Sequence, residues 1–254
     1  MSYSDDSRIV LTLDAGGTNF VFSALQGIKP IADTITLPSN GNNLEKCLQG
    51  IVEGFTKLGA KLKGKPSAIS FAFPGPADYP KGIIGDLGNL PGFRGGVALG
   101  PMLQEKFGIP VFINNDGDLF AFGEAIAGFL PWVNSMLKNA GSPKNFYNLL
   151  GVTIGTGLGG GLVTNGKLFT GDNSAGTEVW LLRDGVNPTC FAEEEISIRA
   201  VQRTYHAHTR KNESTLLSPK EIAEIAYGNH EGDMVAAKLA YQSLGASLGD
   251  ALAN

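Results

Sequence analysis

Two short stretches hold the residues best suited to chemistry. "LDAGGTNF" (13–20) sets Asp14 and Thr18 around Gly16 and Gly17, and "IGTGLGGG" (154–161) sets Thr156 between Gly155 and Gly157. Each interrupts an apolar run. Successive amides in a glycine turn form an anion-binding nest that needs no lysine. Threonine hydroxyls add donors, so the amides of Gly16, Gly17, Thr18 and Asn19, and those of Thr156 and Gly157, suit the phosphates of a nucleotide. Asp14 ends the first apolar run, where a carboxylate can hold Mg2+ directly or through water. Singly, each stretch also reads as a plain hairpin turn. Their pairing favours phosphate.

A third stretch is "VFINNDGDLFAFGEA" (111–125), in which Asn114, Asn115, Asp116, Gly117 and Asp118 follow an apolar strand and open a helix. A carboxylate at a strand end facing an interdomain cleft is placed to accept a proton from an alcohol. Asp116 or Asp118 would equally suit the helix N-cap; the cap takes one acid and leaves the other free.

The elements that must position these residues follow from hydrophobic periodicity. Residues 8–13 and 19–25 read as strands, and "IADTITLP" (31–38) as a third. Residues 43–62 suit a helix with Leu44, Leu48, Ile51, Phe55 and Leu58 on one face. "AISFAF" (68–73) is a strand ended by Pro74-Gly75-Pro76, 97–107 is helical, 111–114 is a strand and 118–128 a helix. The Gly- and Pro-bearing stretch "FLPWVNSMLKNAGSPKN" (129–145) reads as a connector, which gives an N-terminal domain over 1–128, a hinge over 129–146 and a C-terminal domain over 147–254. The second domain opens as the first does: strand, glycine turn, strand, then Asn165-Gly166 as a tight hairpin, with Lys167 in the place of Lys29. From about 193 the chain reads as helices.

Two motif matches are set aside. Gly155-x-Gly157-x-x-Gly160 fits a dinucleotide fingerprint, but a strand follows it where a helix must. Gly161 to Lys167 approaches a phosphate-binding loop, but Leu168 stands where Ser or Thr must hold Mg2+.

The 254 residues are 43% apolar and 17% charged, enough for a sizeable core. Net charge is −4 without a dense Lys/Arg run, which disfavours nucleic acid and anionic membranes as partners. Cys47 and Cys190 cannot make a disulfide framework or a thiolate metal site, and "MSYSDDSR" has no signal-peptide core, so a soluble cytoplasmic protein is expected. Residues 145–166 carry no charge, but the glycines among them suit period-two strands better than a membrane helix. Glycine numbers 35, about twice the usual ~7% share, and should mark sharp turns or close approaches.

Taken together, "LDAGGTNF", "FPGPAD", "GNLPGF", "INNDGD" and "IGTGLGGGLVTNGKLFTG" resemble, in order and spacing, the ROK family of sugar kinases in the actin-like ATPase superfamily. The resemblance covers nearly the whole chain. It implies an α/β, two-domain actin-like ATPase (ribonuclease H-like) fold whose domains close over a hexose and MgATP. The expected activity is phosphate transfer from ATP to the 6-hydroxyl of glucose or a related hexose, with N-acetylglucosamine and mannose left open. Asp116 would be the general base, Asn115 would bind neighbouring hydroxyls, and Asn89 with the loop at Pro74 and Gly75 would line the sugar pocket. Glu178, in "NSAGTEVW", would contact ring hydroxyls, and Glu193 would be a second sugar-binding acid, although Glu194 and Glu195 leave that register open. Many relatives pair as dimers, so a homodimer stays open.

The sequence also departs from the family. Trp180 and Leu181 stand where relatives carry Gly-His, and Cys190 stands alone where they carry a Cys-rich zinc motif. His206, His208 and His230 read as ordinary polar histidines on helices, so no structural zinc is expected. Relatives continue with a Gly-Gly turn that cradles the adenosine; here "LGDALAN" ends an apolar-faced helix, and truncation before that motif is the expectation. Two rival readings are a sugar-responsive repressor, for which the residues before Asp14 leave no room for a helix-turn-helix, and a phosphohydrolase of the superfamily, which the "NLPGF" and Glu178 pocket disfavours.

Overall fold

The computed structural model describes residues 3–86, 91–185, 187–209 and 216–253. Two units emerge, each from two stretches of chain: Met1–Leu149 with Gly161–Gly176, and Leu150–Gly160 with Thr177–Asn254.

The first unit is built on alternation. Leu11 and Leu13 of β1 (Ile9–Ala15) and Phe20, Phe22 and Ala24 of β2 (Asn19–Gln26) point to one face, and the two strands pair antiparallel from Ile9↔Gln26 to Ala15↔Phe20. β3 (Lys29–Pro30) and β4 (Ile35–Pro38) pair with opposite ends of β2. Helix α1 (Leu44–Ala60) follows, its first turn capped by Asn43, whose side chain accepts the Lys46 amide at 3.0 Å. It buries Cys47, Ile51, Gly54, Phe55 and Leu58, while Leu44 and Leu48 pack at the margin of the core. Gly54 is required by fit: a Cβ there would stand 2.2 Å from the Phe22 ring. Then come β5 (Ala68–Ala72), the small ribbon β6 (Ala77–Asp78) and β7 (Ile83–Ile84), helix α2 (Leu99–Phe107) and β8 (Val111–Asn114). The main sheet has the order β3-β2-β1-β5-β8, with β1, β5 and β8 parallel. This is an α/β unit, and its core is a chain of phenylalanines: Phe22, Phe55, Phe71, Phe73 and Phe93 meet with ring centroids 5.1–6.2 Å apart.

Two helices complete that unit. α3 (Asp116–Ile126) leaves β8 directly. α4 (Phe129–Asn139) occupies the stretch expected as a connector. Pro131 falls in its first turn, where the missing N–H has no intrahelical partner to lose. Asn134 on α4 then fastens the following strand of loop by bonding both the N–H and the C=O of Phe146 at 2.8 Å.

The second unit receives β9 (Leu149–Ile154) from Leu150 onward and the first residues of β10 (Leu158–Thr164). The remainder of β10 belongs to the first unit and pairs there with β11 (Lys167–Phe169), across a turn in which Asn165 and Gly166 both have positive φ (51° and 73°), as an Asn-Gly hairpin requires. The helices of the second unit are α5 (Ile198–His208), α6 (Pro219–Tyr227) and α7 (Met234–Ala253). Ser218 and Glu221 form a reciprocal capping box at the start of α6. One core joins Val201, Tyr205, Ile222 and Ile225 to the small residues Ala236, Ala237 and Ala240 of α7; a second joins Leu158, Ala192, Ile196 and Ala251. His206 and His208 lie on α5, whereas His230 lies in the turn between α6 and α7, not on a helix. Among the described residues no helix is long and apolar enough to cross a membrane.

Candidate functional site

Strand register gathers the first unit's candidate residues at one sheet edge. Asp14 on β1 lies level with Ala72 on β5, and Ala72 lies level with Asn114 on β8. All three stand at the carboxyl ends of parallel strands, the usual ligand-binding edge of such sheets, with Asp14 and Asn114 about 10 Å apart at two strand spacings. The loops that leave this edge are Gly16–Thr18, Pro74-Gly75 and Asn115-Asp116.

The first loop is held from behind. Ser39, buried at 2% exposure, donates its hydroxyl to the Gly17 carbonyl at 2.6 Å, and its amide bonds the Thr18 carbonyl at 2.9 Å. The amides of Gly17 and Thr18 donate to no group among the described residues, so both stay open to an anion. Gly16 is set by the turn itself, since a Cβ would lie 2.8 Å from the Asn19 carbonyl; Gly17 faces open space. Among the described residues nothing demands a glycine at 17, and a loop without a side chain there would let a ligand approach closely. Asp14 and Asn19 are exposed beside this loop.

At the third loop the helix cap is Asn115, neither aspartate. Its Oδ1 accepts the amides of Gly117 at 2.8 Å and Asp118 at 3.2 Å. That leaves Asn115 only its NH2 group for a ligand, and Nδ2 lies 3.5 Å from the Tyr79 hydroxyl. Asp118 is buried at 5% exposure, while Asp116 is exposed and, among the described residues, accepts only the adjacent Gly117 amide, at 2.9 Å. Of the two acids, only Asp116 is available to a bound alcohol. Buried Tyr79 also donates to the Phe73 carbonyl at 2.9 Å and so links the Pro74-Gly75 loop to Asn115. Asn89 lies outside the described residues.

In the second unit the turn after β9 is tight: the Gly155 amide bonds the Gly157 carbonyl at 2.9 Å, and Thr156 is exposed at its tip. The amides of Thr156 and Gly157 have no partner among the described residues. Glu193 turns its carboxylate to this turn and accepts the Leu158 amide at 2.9 Å. Glu195 is paired instead with Arg203 at 2.8 Å. Glu178 is exposed and accepts the indole N–H of Trp180, whose ring meets Phe191 edge-on at 5.7 Å. As the sequence indicated, a strand and not a helix follows the Gly155-x-Gly157-x-x-Gly160 pattern.

The glycines beyond that turn serve packing. A Cβ on Gly159 would lie 2.5 Å from the Thr153 hydroxyl, and one on Gly160 would lie 2.9 Å from Val179. On Gly161 it would lie 2.7 Å from the Gly117 carbonyl and 2.8 Å from Ala121, both on α3. Ser39, Tyr79, Trp180 and Arg199 were not singled out as functional by residue type. Only the hydrogen bonds reveal them.

Comparison with known proteins matches residues 10–254 to the model of the ROK family. The solved structure of a glucokinase from Parabacteroides distasonis is 58% identical, with a TM-score of 0.91, over 100% of this chain and 71% of that one. A glucokinase of Halalkalibacterium halodurans is 30% identical over 68% of this chain and 49% of its own length. An N-acetyl-D-glucosamine kinase of Vibrio parahaemolyticus is 30% identical over 65% of this chain and 50% of its own. The chain thus spans about half the length of these last two relatives. The chain belongs to the ROK family and has the α/β, actin-like ATPase fold of its sugar kinases.

Proposed function

We propose that this chain carries the machinery of an ATP-dependent hexose kinase acting on the 6-hydroxyl of glucose or a close relative. The observation that carries the reading is its likeness, along its whole length, to the Parabacteroides glucokinase. Asp116 is the general base: it is the exposed acid at the strand end, and it takes the hydroxyl proton as the phosphoryl group arrives. Phosphoryl transfer has a loose transition state, so alignment and charge neutralisation supply most of the acceleration. The open amides of Gly17 and Thr18, with Gly16 and Asn19 beside them, and those of Thr156 and Gly157 supply that charge from the protein side.

Asp14 suits Mg2+. Among the described residues no three His, Cys, Asp or Glu side chains are grouped to hold a metal. A single carboxylate with water and phosphate oxygens is a set that Mg2+ accepts. When bound, the ion neutralises the β- and γ-phosphates. The sugar side comprises the Asn115 amide, Glu178, Asn89 and the Pro74-Gly75 loop.

The test is ADP release from ATP with glucose, mannose, N-acetylglucosamine and no sugar. Glucose-dependent release is expected, and Asp116→Asn is expected to cut kcat ~10²–10⁴-fold. Hydrolysis indifferent to every sugar would replace the kinase reading with a phosphohydrolase. A preference for N-acetylglucosamine is the second reading; the Vibrio relative, equal in identity to the bacillar glucokinase, favours it.

A further inference from the structure

Arg199, the second residue of α5, lies outside the phosphate turn yet grips it. Its Nη1 donates to the Thr156 carbonyl at 3.0 Å, and its Nη2 stands 3.5 Å from Glu193 Oε1 and 3.7 Å from Glu194 Oε1. The other oxygen of Glu193 accepts the Leu158 amide at 2.9 Å. One residue before Arg199, the Ile198 amide donates to the Gly155 carbonyl at 2.9 Å. Both carbonyls at the start of the turn, and the amide at its end, are therefore tied to the single segment 193–199. The fit is close enough that a Cβ on Gly157 would stand 2.3 Å from Glu193 Oε2.

Electrostatics give this arrangement a purpose. A bare carboxylate against an anion-binding turn would repel phosphate, and a guanidinium within 4 Å offsets that repulsion. The planar guanidinium presents separate, pre-organised N–H groups to the carbonyl and the carboxylate, whereas a lysine ammonium is a compact point charge. The Arg199 and Glu193 side chains are 50% and 28% exposed, so as an ion pair they add little to overall stability. Their effect belongs to the turn.

We propose that Arg199, acting with Glu193, is a positioning residue for the phosphate-binding turn Gly155–Leu158. It draws the Thr156 carbonyl away from an incoming phosphate and cancels the charge of the acid that fixes Leu158. This rests on the kinase reading and adds Arg199 to its nucleotide half.

The experiment compares Arg199→Gln, Arg199→Lys and Glu193→Gln with the unaltered full chain, measuring kcat, KM for MgATP and hexose, ATP affinity by calorimetry, and Tm. Arg199→Gln is expected to raise KM and Kd for ATP about tenfold, leave the hexose KM within about twofold and shift Tm by no more than about 2 °C. Arg199→Lys is expected to recover part of the loss, and Glu193→Gln to raise the ATP KM as well. An unchanged ATP affinity in Arg199→Gln, or an unchanged ATP KM in Glu193→Gln, overturns the proposal. If the unaltered chain binds ATP but phosphorylates no hexose, the kinase reading fails, and the calorimetric Kd still judges Arg199.

Discussion

Ser39 and Arg199 do one job in two units. Each takes a carbonyl of a glycine turn, Gly17 or Thr156, so that the turn's amides stay open. A serine and an arginine at distances of 22 and 43 residues from their partners carry no local signal, which is why neither was legible in the sequence. The two turns were legible because glycine marks a bend where it stands between apolar strands. Asn115 shows the intermediate case: the cap was foreseen at this point, but two acids and two asparagines in a row left its owner to be settled by backbone geometry. Cys47 gives a prediction at this scale. Burial against the phenylalanine core pushes its thiol up to about 11, from an ordinary 9.0. An acid whose pKa is raised by folding stabilises fully below its unfolded value, and that contribution is lost as pH climbs through the folded one. The urea midpoint is therefore expected to fall between pH 9 and about 11, and Cys47→Ala to flatten that decline relative to its own value at pH 7.

At the scale of elements, the site depends on β8 delivering α3 at the right height. Asp116 is the first residue of α3, and that helix rests its first two turns on Gly161 through the Gly117 carbonyl and Ala121. Because a helix cannot give locally, a methyl group at 161 must push α3 as a body, at a cost of ~1–3 kcal/mol. Gly161→Ala is expected to lower Tm by several degrees and to reduce kcat more than either KM; an unchanged Tm would show that α3 does not bear on this glycine. Periodicity revealed the strands and α1 well, since alternating or 3.6-spaced apolar residues face a real core. It failed at α4. Pro131 and the flanking Gly128 and Gly141 read as loop, while the position of the proline within the first turn makes it harmless.

For the whole molecule, the cores of the two units differ in substance. The first unit's core is filled by aromatic rings and branched side chains, whereas the second unit relies on Ala236, Ala237 and Ala240 around Tyr205 in one cluster and on Ala192 and Ala251 beside Leu158 and Ile196 in another. Less apolar area per residue gives less stabilisation. The chain has two tryptophans, Trp132 in the first unit and Trp180 in the second, so each unit carries its own reporter. Single-tryptophan variants are expected to show the Trp180 transition at lower urea than the Trp132 transition; coincident curves would mean that both units unfold as one. That the units interleave was hidden from the sequence, in part because one of the three passages between them occurs inside β10, a stretch of glycine without hydrophobic pattern. Such a stretch has no way up of its own. Only Leu158 at one end and Leu162 and Val163 at the other inform the strand which way to lie, and a slip by one place would go unnoticed by the three residues in the middle. Errors in folding should therefore enter at this ribbon, where a bulky side chain would strain the second unit at Gly159 or Gly160 and the first at Gly161.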